Sequence, residues 1–109
     1  MEFKKIPYEQ NTLTELTPEQ VEAAKRVYGD IYLITVGDKK MYLHKPDRRV
    51  IDLATTSSRQ RPSLFEETIM TNCWLAGDKE IITTTDLFYG AAAQMNGLMQ
   101  TATAEMVKL

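Results

Sequence analysis

His44 and Cys73 are the only histidine and cysteine in a chain of 109 residues. An imidazole base beside a thiol is the pairing used for nucleophilic catalysis. The two side chains would have to meet across the fold, and no local spacing brings them together. The plainer reading makes His44 a strand-end side chain, exposed or hydrogen-bonded to Asp47, and Cys73 a small buried hydrophobe. Asp78 and Glu80, in GDKEI, form a second candidate as a carboxylate pair. No sequence neighbour raises a carboxyl pKa there or completes a metal-ligand spacing, so a solvated turn is the expectation. Phosphate-loop, dinucleotide-binding and zinc spacings are absent, and the glycines at 29, 37, 77, 90 and 97 are too scattered to build one. No catalytic, cofactor-binding or metal-binding residue is therefore assigned. No cofactor is expected, and the chain is read as a non-enzyme.

The basic residues are the other chemical signal. Residues 38–61 hold seven Lys or Arg against three Asp, a balance of +4, while residues 1–30 and 62–109 carry −2 and −4. Lys39, Lys40, Lys45, Arg48, Arg49, Arg59 and Arg61 could line a strip on phosphates, with Tyr42 stacking on a base. The whole chain is acidic, with a pI near 5.4, whereas dedicated nucleic-acid binders are strongly basic. A solvated face or a protein contact is preferred, and a nucleic-acid regulator ranks third. Met95, Met99 and Met106 are pliable apolar side chains suited to an adaptable surface for another protein or a second copy. Trp74 is read as a core anchor.

The elements that would position these groups follow from punctuation and periodicity. Residues 1–16 have no clean period, and Pro7 argues against a central strand, so they are read as an N-terminal arm. Thr17, Pro18 and Gln20 start a helix with a capping box, Val21, Ala24, Val27 and Tyr28 make its apolar stripe, and Gly29 ends it. Ile31–Val36 and Met41–Lys45 form a β-hairpin around Gly37-Asp38-Lys39-Lys40. Pro46 closes the second strand, and Asp47 caps a short helix whose buried stripe is Val50, Leu53 and Ala54, with Ile51 beside them. Arg48 and Arg49 then point outward from the first turn. Residues 55–62 read as a mobile basic loop.

Pro62 and Ser63-x-x-Glu66 open a further helix, with Leu64 or Phe65, Ile69, Met70, Cys73 and Trp74 as its stripe and Gly77 as its stop. DKEIITTTD is a linker. A last helix, capped at Thr83 or Thr85, keeps its rhythm through Leu87, Phe88, Ala91, Met95, Leu98, Met99 and Met106. Gly90 and Gly97 inside it each cost about 1 kcal/mol relative to Ala, a sign of close approach by another backbone. The order α-β-β-α-α-α predicts a small single α+β domain over 17–109, with a β-hairpin packed on a mainly helical body.

Composition agrees with such a domain. Hydrophobic residues make up 43% and charged residues 26%, ordinary values for a folded protein. A lone cysteine makes no internal disulfide, which suits a reducing compartment. The start MEFKKIPYEQ lacks an apolar signal region, and no apolar run approaches the ~20 residues that span a bilayer. A cytoplasmic protein without membrane partners is expected.

The stretches MYLHKPDRRVIDLA and NCWLAGDKEI, with a capped helix running to EMVKL, resemble the tail assembly chaperone-like proteins of phage and prophage tail modules. The likeness spans residues 31–109. It lies in a Tyr-Leu-x-Lys-Pro-Asp-Arg turn, a Cys-Trp near a Gly-Asp, and a Lys-Leu tail. It implies a non-enzymatic protein that binds the long helical tape-measure protein and keeps it soluble until tail-tube subunits assemble around it. The setting implied is the bacterial host cytoplasm, with absence from the finished particle. A structural or adaptor component of a tail or head–tail connector is the alternative. Such a chaperone needs an adaptable apolar groove and a charged rim. Met95, Met99 and Met106 are the groove candidates, and Arg48, Arg49, Arg59 and Arg61 the rim.

Overall fold

The computed structural model describes residues 2–98 and 104–109. The fold is a small single α+β domain. A 3-10 turn at Tyr8–Gln10 precedes α1 (Pro18–Tyr28), β1 (Ile31–Val36), β2 (Lys39–His44), α2 (Arg48–Ser58), α3 (Leu64–Cys73), β3 (Trp74–Gly77), α4 (Glu80–Thr83), α5 (Thr85–Ala92) and α6 (Met95–Leu98). Local chemistry sets the first elements. Thr17 Oγ1 accepts from the Gln20 backbone N–H at 3.2 Å, and Gln20 Oε1 accepts from the Thr17 N–H at 2.8 Å, closing the predicted capping box. Gly29, at φ 80°, ends α1 by donating its N–H to Lys25 O. The hairpin turn is tighter than expected. Only Gly37 and Asp38 form it, with Gly37 at φ 62°, so Lys39 and Lys40 belong to β2.

The sheet has three antiparallel strands in the order β1-β2-β3. Its third strand corrects the sequence reading, which carried the helix of Ile69 and Cys73 on to Gly77. Helix α3 stops at Cys73, and Trp74–Gly77 pairs with Met41–Leu43 of β2. All four residues of β3 are buried. A short continuous apolar run lacks the alternation that separates a strand from a helix end. A bulge between Tyr42 and Leu43 lets Leu75 and Ala76 both serve the same core cluster.

The sheet lies between two layers. One face carries Ile34, Met41, Leu43 and Trp74 into the main core, against Val50, Ala54, Ile69, Met70, Cys73, Ile81, Phe88, Ala91, Met95 and Leu98 from the later helices. The opposite face carries Tyr42, Leu75 and Ala76 against Leu16 and Ala24, with Phe3, Leu13, Val21, Tyr28 and Ile31 around them. Trp74 is completely buried, and truncating such an anchor costs about 3–5 kcal/mol. Its indole N–H has no hydrogen-bond partner among the described residues. The N-terminal segment belongs to this packing. Leu16 is buried, and buried Asn11 donates from Nδ2 to Leu75 O at 2.9 Å while its Oδ1 accepts from the Leu13 N–H at 2.8 Å.

Two members of the predicted stripes face solvent, Val27 at 54% and Leu53 at 43% exposure. Each sits at the border of its stripe, where no neighbouring element reaches. The expected loop at 55–62 is helical as far as Ser58, held in part by Thr55 Oγ1 on Ile51 O and Ser58 Oγ on Thr55 O. The expected linker contains α4, and the expected long last helix breaks after Ala92. There the hydrogen bonds tighten to three-residue spacing, with the Gln94 N–H on Ala91 O and the Gly97 N–H on Gln94 O. A Cβ at Gly90 would sit 3.1 Å from the Val36 side chain, whereas Gly97 faces open space, so only the first glycine marks a close approach. Residues 104–109 have no regular structure and are exposed. Among the described residues, no helix is long and apolar enough to cross a membrane.

Candidate partner-binding surface

The basic middle of the chain divides in two once folded. Lys39 Nζ lies 3.2 Å from Asp78 Oδ2 and 3.8 Å from Glu80 Oε2, and Lys40 Nζ lies 2.6 Å from Glu15 Oε1. Arg61 reaches Glu67 at 3.8 Å and Ser63 Oγ at 3.2 Å. The described residues give Lys45, Arg48, Arg49 and Arg59 no ion pair. These four cations lie on α2 or immediately beside it, and all are exposed.

Local rules place them there. Pro46 is buried and ends β2. Asp47 Oδ1 accepts from the Val50 N–H at 2.9 Å, the predicted cap. With Val50 and Ala54 fully turned into the core, helical spacing sends Arg48, Asp52, Thr55 and Arg59 to the far side. Arg49, Leu53 and Thr56 line up next to them. The cations on the first turn oppose the helix dipole, a cost of about a few tenths of a kcal/mol, and among the described residues they form no ion pair. Exposed Leu53 lies one turn after Arg49. The expected rim residues Arg48, Arg49 and Arg59 are thus available on one helical face. Arg61 stands apart, already engaged by α3.

Of the three methionines expected to line a groove, Met95 departs from that expectation. Met95 is 3% exposed and belongs to the main core, packed with Phe88, Ala91 and Leu98, so it cannot touch a partner. Met106 is 97% exposed. Met99 lies outside the described residues. Tyr42, the stacking candidate, is buried under α1 and the N-terminal segment.

The residues read for chemistry sit in structural settings. His44 is buried rather than exposed, and its ring stacks on Tyr28 at 4.2 Å with 7° between the planes. Nδ1 donates to Lys45 O at 2.9 Å, and Nε2 accepts from Lys5 Nζ at 3.0 Å. Asp47 caps α2 instead of bonding the imidazole. Lys5 also donates to Asn72 O, tying the N-terminal segment to the end of α3. Burial lowers the pKa of both His44 and Lys5. Burial pushes the Cys73 thiol up to about 12, against a smaller opposing pull from Lys5. At neutral pH the thiol is therefore protonated, and both imidazole nitrogens are occupied by structural hydrogen bonds. A cavity of about 270 Å³ beside Lys5, Tyr8 and Asn72 opens between the N-terminal segment and α3.

At the other end of the sheet, Asp78 Oδ1 accepts from the Glu80 N–H at 3.0 Å. That bond, aided by Lys39, holds the Asp78 carboxyl below its ordinary range. The carboxylate pair serves a turn, as expected. No group of three or more metal-ligating His, Cys, Asp or Glu forms among the described residues. No protein-family model matches the chain, and neither a curated protein nor a solved structure does. Sequence reasoning missed two surface features, exposed Leu53 and exposed Leu33 of β1. Leu53 sits at the edge of its stripe, and Leu33 sits in an uninterrupted apolar strand; neither position signals exposure locally.

Proposed function

We propose that the chain is a non-enzymatic protein-interaction module that receives a long, acidic, helix-rich client along the outer face of α2. In this reading it serves as tail assembly chaperones serve the tape-measure protein, working in the bacterial cytoplasm and leaving before the particle is complete. One observation carries the reading. Among the described residues Lys45, Arg48, Arg49 and Arg59 form no ion pair, and Arg49 lies one helical turn before exposed Leu53 on α2. Solvent-exposed cations around an apolar centre suit an amphipathic helix with acidic flanks, where the charges set register and encounter rate and the leucine adds buried area.

The test is co-expression with a long, acidic, helix-rich client of the tape-measure type. The wild type should keep that client soluble and co-purify with it. Arg48→Glu combined with Arg49→Glu and Arg59→Glu should abolish capture without lowering stability, because these side chains form no ion pair among the described residues and carboxylates on the first turn of α2 suit its dipole. Equal capture by the triple variant would sink the reading. So would retention on duplex DNA with a steep salt dependence in place of client binding.

A further inference from the structure

The two edges of the sheet are treated differently. The outer side of β3 is closed by the chain's own N-terminal segment, through the Gly77 N–H on Leu13 O at 2.9 Å and Asn11 Nδ2 on Leu75 O at 2.9 Å. The outer side of β1 receives no backbone hydrogen bond from any described residue. Its sequence, Ile31-Tyr32-Leu33-Ile34-Thr35-Val36, contains no charge, proline or bulge, the usual protections of an open edge. Leu33 on this strand is 54% exposed.

The hairpin register fixes which groups are left over. Val36 and Lys39 flank a two-residue turn and so form a hydrogen-bonded pair. Ile34 with Met41 and Tyr32 with Leu43 then follow in phase. Lys40 O supports this phase, since it accepts from the Asp78 N–H on the side away from β1. The free N–H and C=O groups of β1 therefore belong to Ile31, Leu33 and Thr35. These residues also share the sheet face away from the main core.

We propose that the chain self-associates by antiparallel pairing of β1 with β1 of a second copy, about a two-fold axis through Leu33, joining the two sheets into one. A two-fold perpendicular to the sheet keeps faces continuous only if residues of like parity pair. Leu33 then faces Leu33, and Ile31 faces Thr35. These pairs use the very groups left unsatisfied, about six main-chain hydrogen bonds in all. Each half-exposed Leu33 is covered by its mate, so one surface is complementary to itself, as a two-fold contact requires. Alongside the strand runs a trough of about 270 Å³ lined by Tyr32, Leu33, Ile34, Thr35, Gln94 and Leu98. Edge pairing covers a modest area, so the dimer is concentration-dependent.

Sedimentation velocity across a concentration series tests this, with two variants. Leu33→Lys sets two ammonium groups opposite each other on the axis. Thr35→Pro deletes an outward N–H without touching the bonds to β2. Each should raise the dimer dissociation constant by roughly tenfold or more, the worth of one to two hydrogen bonds, while the monomer keeps its far-ultraviolet dichroism. Paired strands put the Leu33 Cα atoms about 5.5 Å apart, within disulfide reach. Mild oxidation should therefore link Leu33→Cys into dimers and leave Leu53→Cys unlinked. The proposal fails if the wild type stays monomeric up to millimolar concentration, or if both edge variants dimerise like the wild type. It also fails if Leu53→Cys crosslinks and Leu33→Cys does not, or if Leu33→Lys impairs only client capture. The last result would give the edge to a client strand.

Discussion

Replacing Gly77 with Ala adds one methyl group where the backbones of β2 and β3 meet. At Gly77 φ is 148°, and a Cβ there would lie 2.6 Å from Met41 Cα, 2.7 Å from Lys40 O and 2.8 Å from Met41 Cβ. The obstacles are backbone atoms and the root of a fully buried side chain, so no rotamer change relieves them. Moving the strands apart would stretch the Asp78 N–H bond to Lys40 O and press β3 against the N-terminal segment, where the Gly77 N–H meets Leu13 O, each bond being 2.9 Å. Strain at a glycine-only conformation costs about 1–3 kcal/mol, and overpacking adds about 1–3 kcal/mol. A loss near 4 kcal/mol is expected, a large part of the ~5–15 kcal/mol that holds a domain together. With a urea slope of about 2 kcal/mol/M, the unfolding midpoint should fall by about 2 M, read from Trp74 fluorescence and far-ultraviolet dichroism together. Two other glycines calibrate the measurement. Gly97→Ala meets nothing within 4 Å and should gain up to about 1 kcal/mol of helix propensity. Gly90→Ala gains the same propensity but presses on Val36 at 3.1 Å, leaving a change near zero. A Gly77→Ala loss below about 1 kcal/mol, or equal shifts at positions 77 and 97, would refute the reasoning.

Other outcomes follow from the buried groups. His44 has a folded-state pKa below its ordinary 6.5, so the unfolded chain binds the proton first. Its contribution to stability is complete above pH 6.5 and is lost as pH falls toward the folded value. Urea midpoints should drop between pH 7.5 and 5.5, and His44→Gln should flatten that slope; an unchanged slope would remove His44 as its source. Cys73, fully buried with its thiol pushed up to about 12, should react with a disulfide reagent at pH 8 only as fast as the protein unfolds. Labelling at the rate of a free thiol would contradict its burial. Asn11→Ala strips partners from Leu75 O and the Leu13 N–H, each costing about 1–3 kcal/mol when buried. The melting temperature should fall by roughly 10 °C or more, and a shift under about 3 °C would show that the N-terminal segment is not clamped through Asn11.

What the sequence determined alone is what lies within four residues of its cause. Thr17 with Gln20, Gly29, Gly37 and Asp47 each act on backbone groups nearby, so α1, the hairpin and the start of α2 could be read directly from the chain. The outward direction of Arg48 and Arg49 follows in the same way once Val50 and Ala54 are known to face inward. Tertiary structure decided the rest. Trp74–Gly77 is a strand because β2 lies alongside it, and its apolar run carries no trace of that partner. Lys39 and Lys40 lost their place in a basic strip because Asp78 and Glu15 arrive from distant segments, leaving the free cations on α2. Met95 went to the core because the sheet lies over the stripe it shares with Phe88, Ala91 and Leu98. Among the described residues the outer side of β1 has no backbone partner, while the N-terminal segment closes the outer side of β3. Contacts between remote segments depend on how the whole chain packs, and local patterns of residue type do not encode that.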